Sequence, residues 1–243
     1  MASNSETGHA INIANFKLLI DKCTGFGASY APSNTDIKVA TMTTQWGTAN
    51  TANNTLTAAM ATAKGLINQR EEDIAPLNKL VTKVVNNFDS TNASKKAKKD
   101  ARGFADKIRG FGVKVVKLPD GKPDPAHVST SHQSMVQKVD MFNQLIQFLA
   151  GDSNYAPNET GIKILTLKSL YTTLKGENDG IGGVIAPVEG ARVTRNHALY
   201  DAETGMVDVA LKAKNYVKSV FGVRSEEART VTGIKFTRPK KVS

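Results

Sequence analysis

The sequence predicts an all-α fold: an elongated helical bundle built from two tandem three-helix repeats, each ending in a short extended strand. Apolar or small side chains within residues 39–74 recur at alternating steps of three and four, a spacing typical of one long packed helix. The same ladder returns 125 positions later, in residues 164–199. The turn Tyr30-Ala31-Pro32 returns at the same offset as Tyr155-Ala156-Pro157. We therefore interpret the chain as an internal duplication of a helical unit.

The duplication sets the expected domain boundaries. Residues 1–118 are the first helical repeat, residues 119–128 are a linker, and residues 129–243 are the second repeat. A chain with 40% hydrophobic residues can bury a substantial core, and we expect the two repeats to share it.

The first copy begins with a helix over residues 11–24, which Gly25 and Gly27 should end. Ser33 and Asp36 resemble a capping box that starts the long helix. Pro76 permits a break after it, and apolar residues at helical spacing in residues 77–88 predict a third helix.

The end of the first copy is less regular. Residues 89–99 are interpreted as a polar, basic loop or a frayed helix end, followed by a short helix up to Arg109. Alternating apolar residues in residues 112–118 predict a strand, and residues 233–236 repeat its Gly-apolar-Lys-apolar pattern. Our hypothesis is that these two strands pair into a small ribbon.

The second copy is expected to contain a helix near residues 129–150, the long helix, and a last helix over residues 207–221. Four glycines weaken the long helix, each by up to ~1 kcal/mol relative to Ala. They are Gly176, Gly180, Gly182 and Gly183. Because the ladder keeps its register through them, we predict one continuous helix, with a kink near Gly180 as the alternative.

The net charge of +10 is concentrated where the repeats end. Residues 95–122 contain ten basic and three acidic residues, and residues 235–241 contain four basic and no acidic residues. These side chains could contact phosphates, although a solvated charge run or a self-assembly contact explains them at least as well. The predicted contacts are Lys95, Lys96, Lys98, Lys99, Arg102, Lys235, Arg238, Lys240 and Lys241.

Two polar positions of the ladder occur in both copies. Asn53 matches Asn178, and Arg70 matches Arg195. A polar residue in an apolar seam fixes helix register at some cost in stability, so these four residues are expected to be structural. The two Asn could bond to each other, and the two Arg could pair with acids such as Asp73 or Glu203 or extend toward solvent.

No residues form a recognisable catalytic or metal-binding pattern. The four histidines are scattered, and Cys23 lies on the apolar face of the first helix. The acidic cluster Glu71-Glu72-Asp73 is interpreted as a solvated helix end, and the glycine-rich segments lack a phosphate-binding spacing. We therefore expect no catalytic residue, no metal, no cofactor and no enzymatic activity.

The expected location is the cytoplasm, with no insertion into a membrane. The N-terminal residues are polar and no run approaches the roughly 20 apolar residues that a membrane span needs. A single cysteine suits a reducing compartment. Export without a leader peptide would leave no trace in these features.

The second half resembles a family of uncharacterised bacterial helical proteins. The matching segments are Ala191-Arg192, Arg195-Asn196, Leu199-Tyr200, the turn at residues 204–208 and residues 216–222. The resemblance covers most of residues 155–238 and implies a helical fold without an activity. The first half departs from it at Pro76 and in the charged insertion after Phe88.

The functional hypothesis follows from one helix face. Residues 39–63 contain no charged residue and are rich in Thr, Ala and Asn, which is unusual for a helix in water. We predict a non-enzymatic structural or scaffolding protein that self-associates through uncharged helix faces into a homo-oligomer or filament. The alternative is an anion or nucleic-acid binding module that uses the basic ends of the repeats, although aromatic residues for base stacking are sparse there.

Overall fold

The computed structural model describes residues 8–111 and 134–239. The chain in these ranges is all-helical and contains no β-strand. Its α-helices are α1 (His9–Gly25), α2 (Val39–Ile74), α3 (Leu77–Asp89), α4 (Lys95–Arg109), α5 (Met135–Ala150), α6 (Ile164–Tyr200), α7 (Met206–Phe221) and α8 (Glu226–Thr232). None of these helices is long and apolar enough to cross a membrane.

The chain divides into two compact units. Among the described residues, unit 1 holds 8–63 and 184–239, and unit 2 holds 64–111 and 134–183. Unit 1 therefore contains α1, α7, α8, the first part of α2 and the last part of α6. Unit 2 contains α3, α4, α5 and the remaining parts of the two long helices. Each unit thus combines the first helix of one sequence repeat with the last helices of the other.

In unit 1, α1 packs against α7 and α8. Its buried face is built from Ile13, Phe16, Leu19, Ile20 and Cys23, at the spacing that places apolar residues on one side of a helix. In unit 2, α5 packs against α4, and α3 also packs against α4. These apolar contacts hold each unit together.

The buried positions of the two units correspond in spacing. The five apolar positions of α1 recur in α5 at the same intervals, as Val139, Phe142, Leu145, Ile146 and Leu149. In the same way, the buried positions of α3 recur in α7. Leu77, Val81, Val84, Val85 and Phe88 match Met206, Ala210, Ala213, Lys214 and Val217.

The repeated Tyr-Ala-Pro turn makes the same hydrogen bond in both units. The hydroxyl of Tyr30 donates to the carbonyl of Ile37 at 2.8 Å, and that of Tyr155 donates to the carbonyl of Ile162 at 2.7 Å. Each tyrosine thereby holds a short 3-10 turn that leads into a long helix. Burial raises the pKa of Tyr155 to about 12, so its hydroxyl keeps the proton that this bond needs.

The prediction of a C-terminal strand is wrong. Residues 235–239 have no regular structure; side chains of α1, rather than a neighbouring strand, bind the backbone of Lys235 and Thr237. The strand predicted over residues 112–118 lies outside the described residues, as does the linker at residues 119–128.

The prediction of three helices in each copy is also corrected. A fourth helix, α4, starts at Lys95 because the hydroxyl of Ser94 accepts the backbone N–H of Ala97 at 3.1 Å. Its counterpart α8 follows Ser225, which accepts the N–H of Ala228 at 3.0 Å. The short turn before α2 is capped by Asn34 rather than by the predicted Ser33.

The long helices follow the ladder. α6 is one uninterrupted helix through the four glycines at residues 176–183 and through Pro187, so the predicted continuity is confirmed. Two ladder positions are exceptions to the expected burial. Met60 is 51% exposed, and Arg192 is also exposed.

Candidate functional site

The uncharged part of α2 presents a continuous exposed stripe of small side chains. The stripe follows the same alternating steps of three and four as the buried ladder, on another side of the helix. Its members are Thr41, Thr44, Thr48, Thr51, Thr55, Ala58 and Thr62, all exposed. We call these seven residues the threonine stripe. A helix face of this length without a charge or a large side chain is suited to close contact with another protein surface.

The threonine stripe borders a groove in unit 1. Thr48, Thr51 and Thr55 of α2 form one wall, and Ala191 and Thr194 of α6 form the other. The groove encloses about 420 Å³. Further along the stripe, Thr41 and Thr44 line a second concavity of about 500 Å³. No side chain that lines the first groove is charged.

Unit 2 contains a corresponding groove. Its α6 residues lie 125 positions after their counterparts on α2, and its α2 residues lie 125 positions before their counterparts on α6. Its α6 wall is formed by Thr173, Gly176 and Gly180, and its α2 wall by Leu66 and Gln69. The groove encloses about 360 Å³. A Cβ atom added at either glycine would meet nothing within 4 Å, so these glycines are not required by packing among the described residues.

The groove of unit 2 differs by an acidic pair, Glu177 and Asp73, of which Glu177 lines the groove. Glu177, which lines it, takes the position that Ala52 has in unit 1. Burial, followed by a hydrogen bond with Asp73, raises the pKa of Glu177, whereas bonds from Gln69 and Glu177 lower the pKa of Asp73. The amide of Gln69 donates to Asp73 at 2.8 Å. Asp73 therefore adds to the effect of burial in disfavouring the charged form of Glu177.

All four predicted register residues are half-buried. In unit 2, the Nε of Arg70 and the Oδ1 of Asn178 are buried and have no hydrogen-bond partner among the described residues. In unit 1, Asn53 is half-buried and Arg195 donates to the side chain of Asn196 at 2.8 Å. Arg70 forms no ion pair with the proposed partner Asp73 within the described ranges.

The basic residues predicted to contact phosphates are only partly available. In unit 2, Lys98 donates to the carbonyls of Asp89 and Thr91 at 2.8 and 2.6 Å, and Arg102 forms an ion pair with Asp89. The remaining three predicted residues of α4 are exposed. They are Lys95, Lys96 and Lys99.

In unit 1, Lys235 is exposed, and Arg238 donates to Asp208 at 2.5 Å and to the carbonyl of Tyr200 at 2.9 Å. Lys240 and Lys241 lie outside the described residues.

Sequence reasoning missed a set of polar tertiary contacts in unit 1. Residues 234–239, which we call the strap, lie against α1 and α7 and are held through their backbone. Asn12 donates to the carbonyl of Thr237 at 2.7 Å and accepts its N–H at 3.0 Å. Asn15 donates to the carbonyl of Lys235 at 2.8 Å, and Lys214 donates to that of Ile234. We call Asn12, Asn15 and Lys214 the clamp.

The clamp contains the buried polar side chains of the described chain. Asn12 is 1% and Lys214 8% exposed, and they are the two polar or charged residues in residues 8–111 and 134–239 that are fully buried. Burial lowers the pKa of Lys214, and the nearby charge of Lys218 adds to this effect. Both buried side chains donate to carbonyls of the strap, so the strap supplies hydrogen bonds that their burial requires.

The described residues contain no group of three or more His, Cys, Asp or Glu side chains that could hold a metal ion. Comparison of the chain with protein-family models, curated proteins and solved structures found no match. The resemblance of the second half to a family of bacterial helical proteins stays a prediction.

Proposed function

We propose that this protein is a structural protein that associates with copies of itself through the threonine stripe of unit 1. The observation that carries the proposal is an exposed, uncharged stripe at regular helical spacing beside an uncharged groove. Small side chains allow two helix axes to approach closely, which increases the number of atomic contacts per unit length. A non-enzymatic role in the cytoplasm is part of the same proposal.

Charge favours the threonine stripe over the other surfaces for contact between two copies. The chain carries a net charge of +10, so two copies repel each other over most of their surfaces. The threonine stripe lies within residues 39–63, which contain no charged residue. Contact along this stripe therefore meets less electrostatic repulsion than contact elsewhere.

The size of the stripe predicts a weak association. From Thr41 to Thr62 the helix rises about 31 Å at ~1.5 Å per residue, and a helix is about 10 Å wide. Each copy would then bury on the order of 300 Å², well below the ~800 Å² per partner of a standard stable interface. We expect association that depends strongly on concentration unless a second contact reinforces it.

The test is the molar mass in solution at increasing concentrations, measured by light scattering after size exclusion. We expect the mass of the wild-type protein to rise with concentration. Thr51→Lys combined with Thr55→Lys should keep the chain monomeric, because it places two positive charges in the groove. The matched control is Thr57→Lys, which adds a charge at an exposed position of α2 outside the stripe.

Two results would contradict the proposal. One is a wild-type protein that stays monomeric at all concentrations. The other is a double variant that associates as strongly as the control. Circular dichroism of each variant shows whether α2 is still folded, so loss of association is not confused with unfolding.

A second candidate function, anion binding, is favoured by one observation in unit 2. Lys95 and Lys96 lie in the first turn of α4, where the helix dipole disfavours positive charge, whereas α8 has Glu226 and Glu227 after its capping serine. Lys95 and Lys96 therefore lower the stability of α4, whereas the acidic residues of α8 raise that of α8. A binding role for the two lysines would explain why α4 carries them.

The double variant Lys95→Glu with Lys96→Glu distinguishes anion binding from a solvated charge run. Each substitution should stabilise α4 by about 0.3–1 kcal/mol through the helix dipole. If the lysines bind phosphates, the double variant should also lose salt-sensitive binding to duplex DNA or RNA. Wild-type protein that shows no such binding at low salt would exclude this candidate.

A further inference from the structure

We infer that His9, Tyr200 and Asn12 form a pH-sensitive latch for the strap: the latch holds the strap while the ring of His9 is neutral, and protonation of the ring in mild acid loosens it. The inference does not depend on the proposed self-association. It rests on an unbroken series of hydrogen bonds within unit 1, which runs from His9 through Tyr200 and Asn12 to Thr237 of the strap.

The hydroxyl of Tyr200 lies between His9 and Asn12. Its oxygen is 2.8 Å from Nδ1 of His9, and it accepts a hydrogen bond from the side-chain amide of Asn12 at 3.2 Å. The same amide donates to the carbonyl of Thr237 at 2.7 Å, so each of its two N–H groups has a partner. Tyr200 therefore helps to orient the side chain that binds the strap.

The directions of these hydrogen bonds fit a neutral His9. The hydroxyl of Tyr200 carries one proton, and burial raises the pKa of Tyr200, so the hydroxyl keeps that proton. Because the oxygen accepts from Asn12, the proton is available for Nδ1 of His9. Nδ1 can accept it only when the ring is neutral and carries its own proton on Nε2.

Protonation of His9 opposes the bond between Tyr200 and Asn12. Nδ1 then becomes a charged donor, which forms a stronger hydrogen bond to the oxygen of Tyr200 than the neutral amide does. The hydroxyl proton of Tyr200 loses its acceptor at the same time. Asn12 is 1% exposed, so an N–H that loses its partner there is costly. The side chain of Asn12 loses the bond that fixes its orientation, and its two bonds to Thr237 weaken.

The charged groups around the latch restrict its titration to His9. Burial, followed by the charge of Arg195 on α6, lowers the pKa of His9. On the strap, Arg238 donates to the carbonyl of Tyr200 at 2.9 Å and to Asp208 of α7. The hydrogen bond from Arg238 lowers the pKa of Asp208, so this carboxylate stays charged in mild acid and its ion pair with the strap persists.

The lowered pKa of His9 sets the direction of the effect. A histidine whose pKa is lower in the folded than in the unfolded state stabilises the fold above its ordinary pKa of 6.5. This contribution is lost as the pH falls from 6.5 through the lower value of the folded state. The strap should therefore be held firmly at pH 7.5 and open more often at pH 5.

Hydrogen exchange of the Thr237 amide, followed by NMR, tests the latch. This amide donates to Asn12 at 3.0 Å. We expect its protection factor, which corrects for the intrinsic effect of pH on exchange, to fall about fivefold between pH 7.5 and pH 5, the loss of one hydrogen bond. The amide of Leu145, a buried residue of unit 2, should change much less and reports any global loss of stability.

His9→Gln separates the latch from other effects of acid. The side-chain carbonyl of glutamine can accept the hydroxyl proton of Tyr200 but does not titrate, so the protection factor of Thr237 should be the same at both pH values. The matched control is His197→Gln, which removes an exposed histidine at the same end of α6. His197 bonds to Asp201 at 2.8 Å, outside the latch, so this variant should keep the wild-type pH dependence.

Titration of the His9 ring by NMR provides an independent measurement. Because the coupling is reciprocal, Asn12→Ala should raise the pKa of His9, since the oxygen of Tyr200 is then available to accept from the protonated ring. Three results would overturn the latch: unchanged protection of Thr237 at pH 5, a pH dependence that persists in His9→Gln, or a wild-type His9 ring that titrates at or above its ordinary pKa of 6.5.

Discussion

Unit 1 and unit 2 have corresponding helices but place their polar side chains differently. In the grooves, Ala52 of unit 1 corresponds to Glu177 of unit 2. In the helix that follows each long helix, Lys214 of α7 corresponds to Val85 of α3, and both are buried. The apolar positions around them have the same spacing in both units.

The comparison of the two units shows which residues the helical fold requires. Both units keep the apolar spacing and the tyrosine turn, so these features define the scaffold. Unit 2 folds with Val85 where unit 1 has Lys214, so a buried lysine at this position is not needed for the helical arrangement. The clamp and the acidic pair are therefore additions to a common scaffold, one in each unit.

The largest effect is expected from giving unit 2 the lysine of unit 1. Val85→Lys places an ammonium group among the apolar residues of unit 2, where Val85 is buried. A buried charge without an adequate partner destabilises a protein by about 3–5 kcal/mol. The reverse change, Lys214→Val, should cost much less, because it removes a single bond to the strap. Urea unfolding of both variants measures the two changes, and equal losses would contradict the comparison.

The second largest change in stability is expected in the clamp. Asn12→Ala removes two bonds to Thr237 and should reduce the free energy of unfolding by about 1–3 kcal/mol. At the corresponding position of α5, Lys138 is only half-buried. Lys138→Ala should therefore change the stability by less than about 0.5 kcal/mol. Hydrogen exchange should also become faster at the strap amides in Asn12→Ala, and unchanged exchange there would show that Asn12 does not hold the strap.

An equal effect in both units is expected at the tyrosine turn. Tyr30→Phe and Tyr155→Phe each remove one buried hydroxyl bond to a carbonyl, at Ile37 and Ile162 respectively. Each substitution should cost about 1–2 kcal/mol, with the two values alike within experimental error. Thermal unfolding of both variants provides the measurement. A large inequality would mean that the two turns do not carry the same structural role.

The sequence could predict most of the helices because periodic apolar residues mark a packed face whatever lies opposite it. The ladder located α2 and α6, and the repeat located both tyrosine turns. It could not predict α8, which has only Ala228 and Val231 as buried positions in seven residues. Two apolar positions do not define a helical period.

The strap was mistaken for a strand because side chains, not another strand, bind its backbone. Such bonds leave no periodic pattern in the strap itself. The available signal was on the other side of the contact: Asn12 and Lys214 interrupt the apolar faces of α1 and α7. The uncharged part of α2 was evident from composition, whereas its groove required knowing which residues of α6 lie beside it.

The smallest effect is expected in the groove of unit 2. Glu177→Gln removes a carboxyl group whose pKa is raised by burial and by Asp73 beside it. A group with a raised pKa in the folded state stabilises the fold at low pH, and this contribution is lost as the pH rises through that pKa. At pH 7 the wild-type groove holds an unfavourable charge, so the glutamine variant should be the more stable protein. The gain should be less than about 1 kcal/mol, because the carboxyl is partly solvated.

The pH dependence of this gain in stability shows whether the charge of Glu177 causes it. Below the ordinary glutamate pKa of 4.5, wild-type Glu177 is protonated in both the folded and unfolded states, so the advantage of Glu177→Gln should disappear. The control is Glu189→Gln, which removes the same charge at an exposed position of α6 outside the groove. Melting temperatures of the three proteins between pH 4 and pH 7 provide the measurement. If Glu177→Gln still stabilised the protein at pH 4, the charge of Glu177 would not be the cause, and the gain would come from packing in the groove.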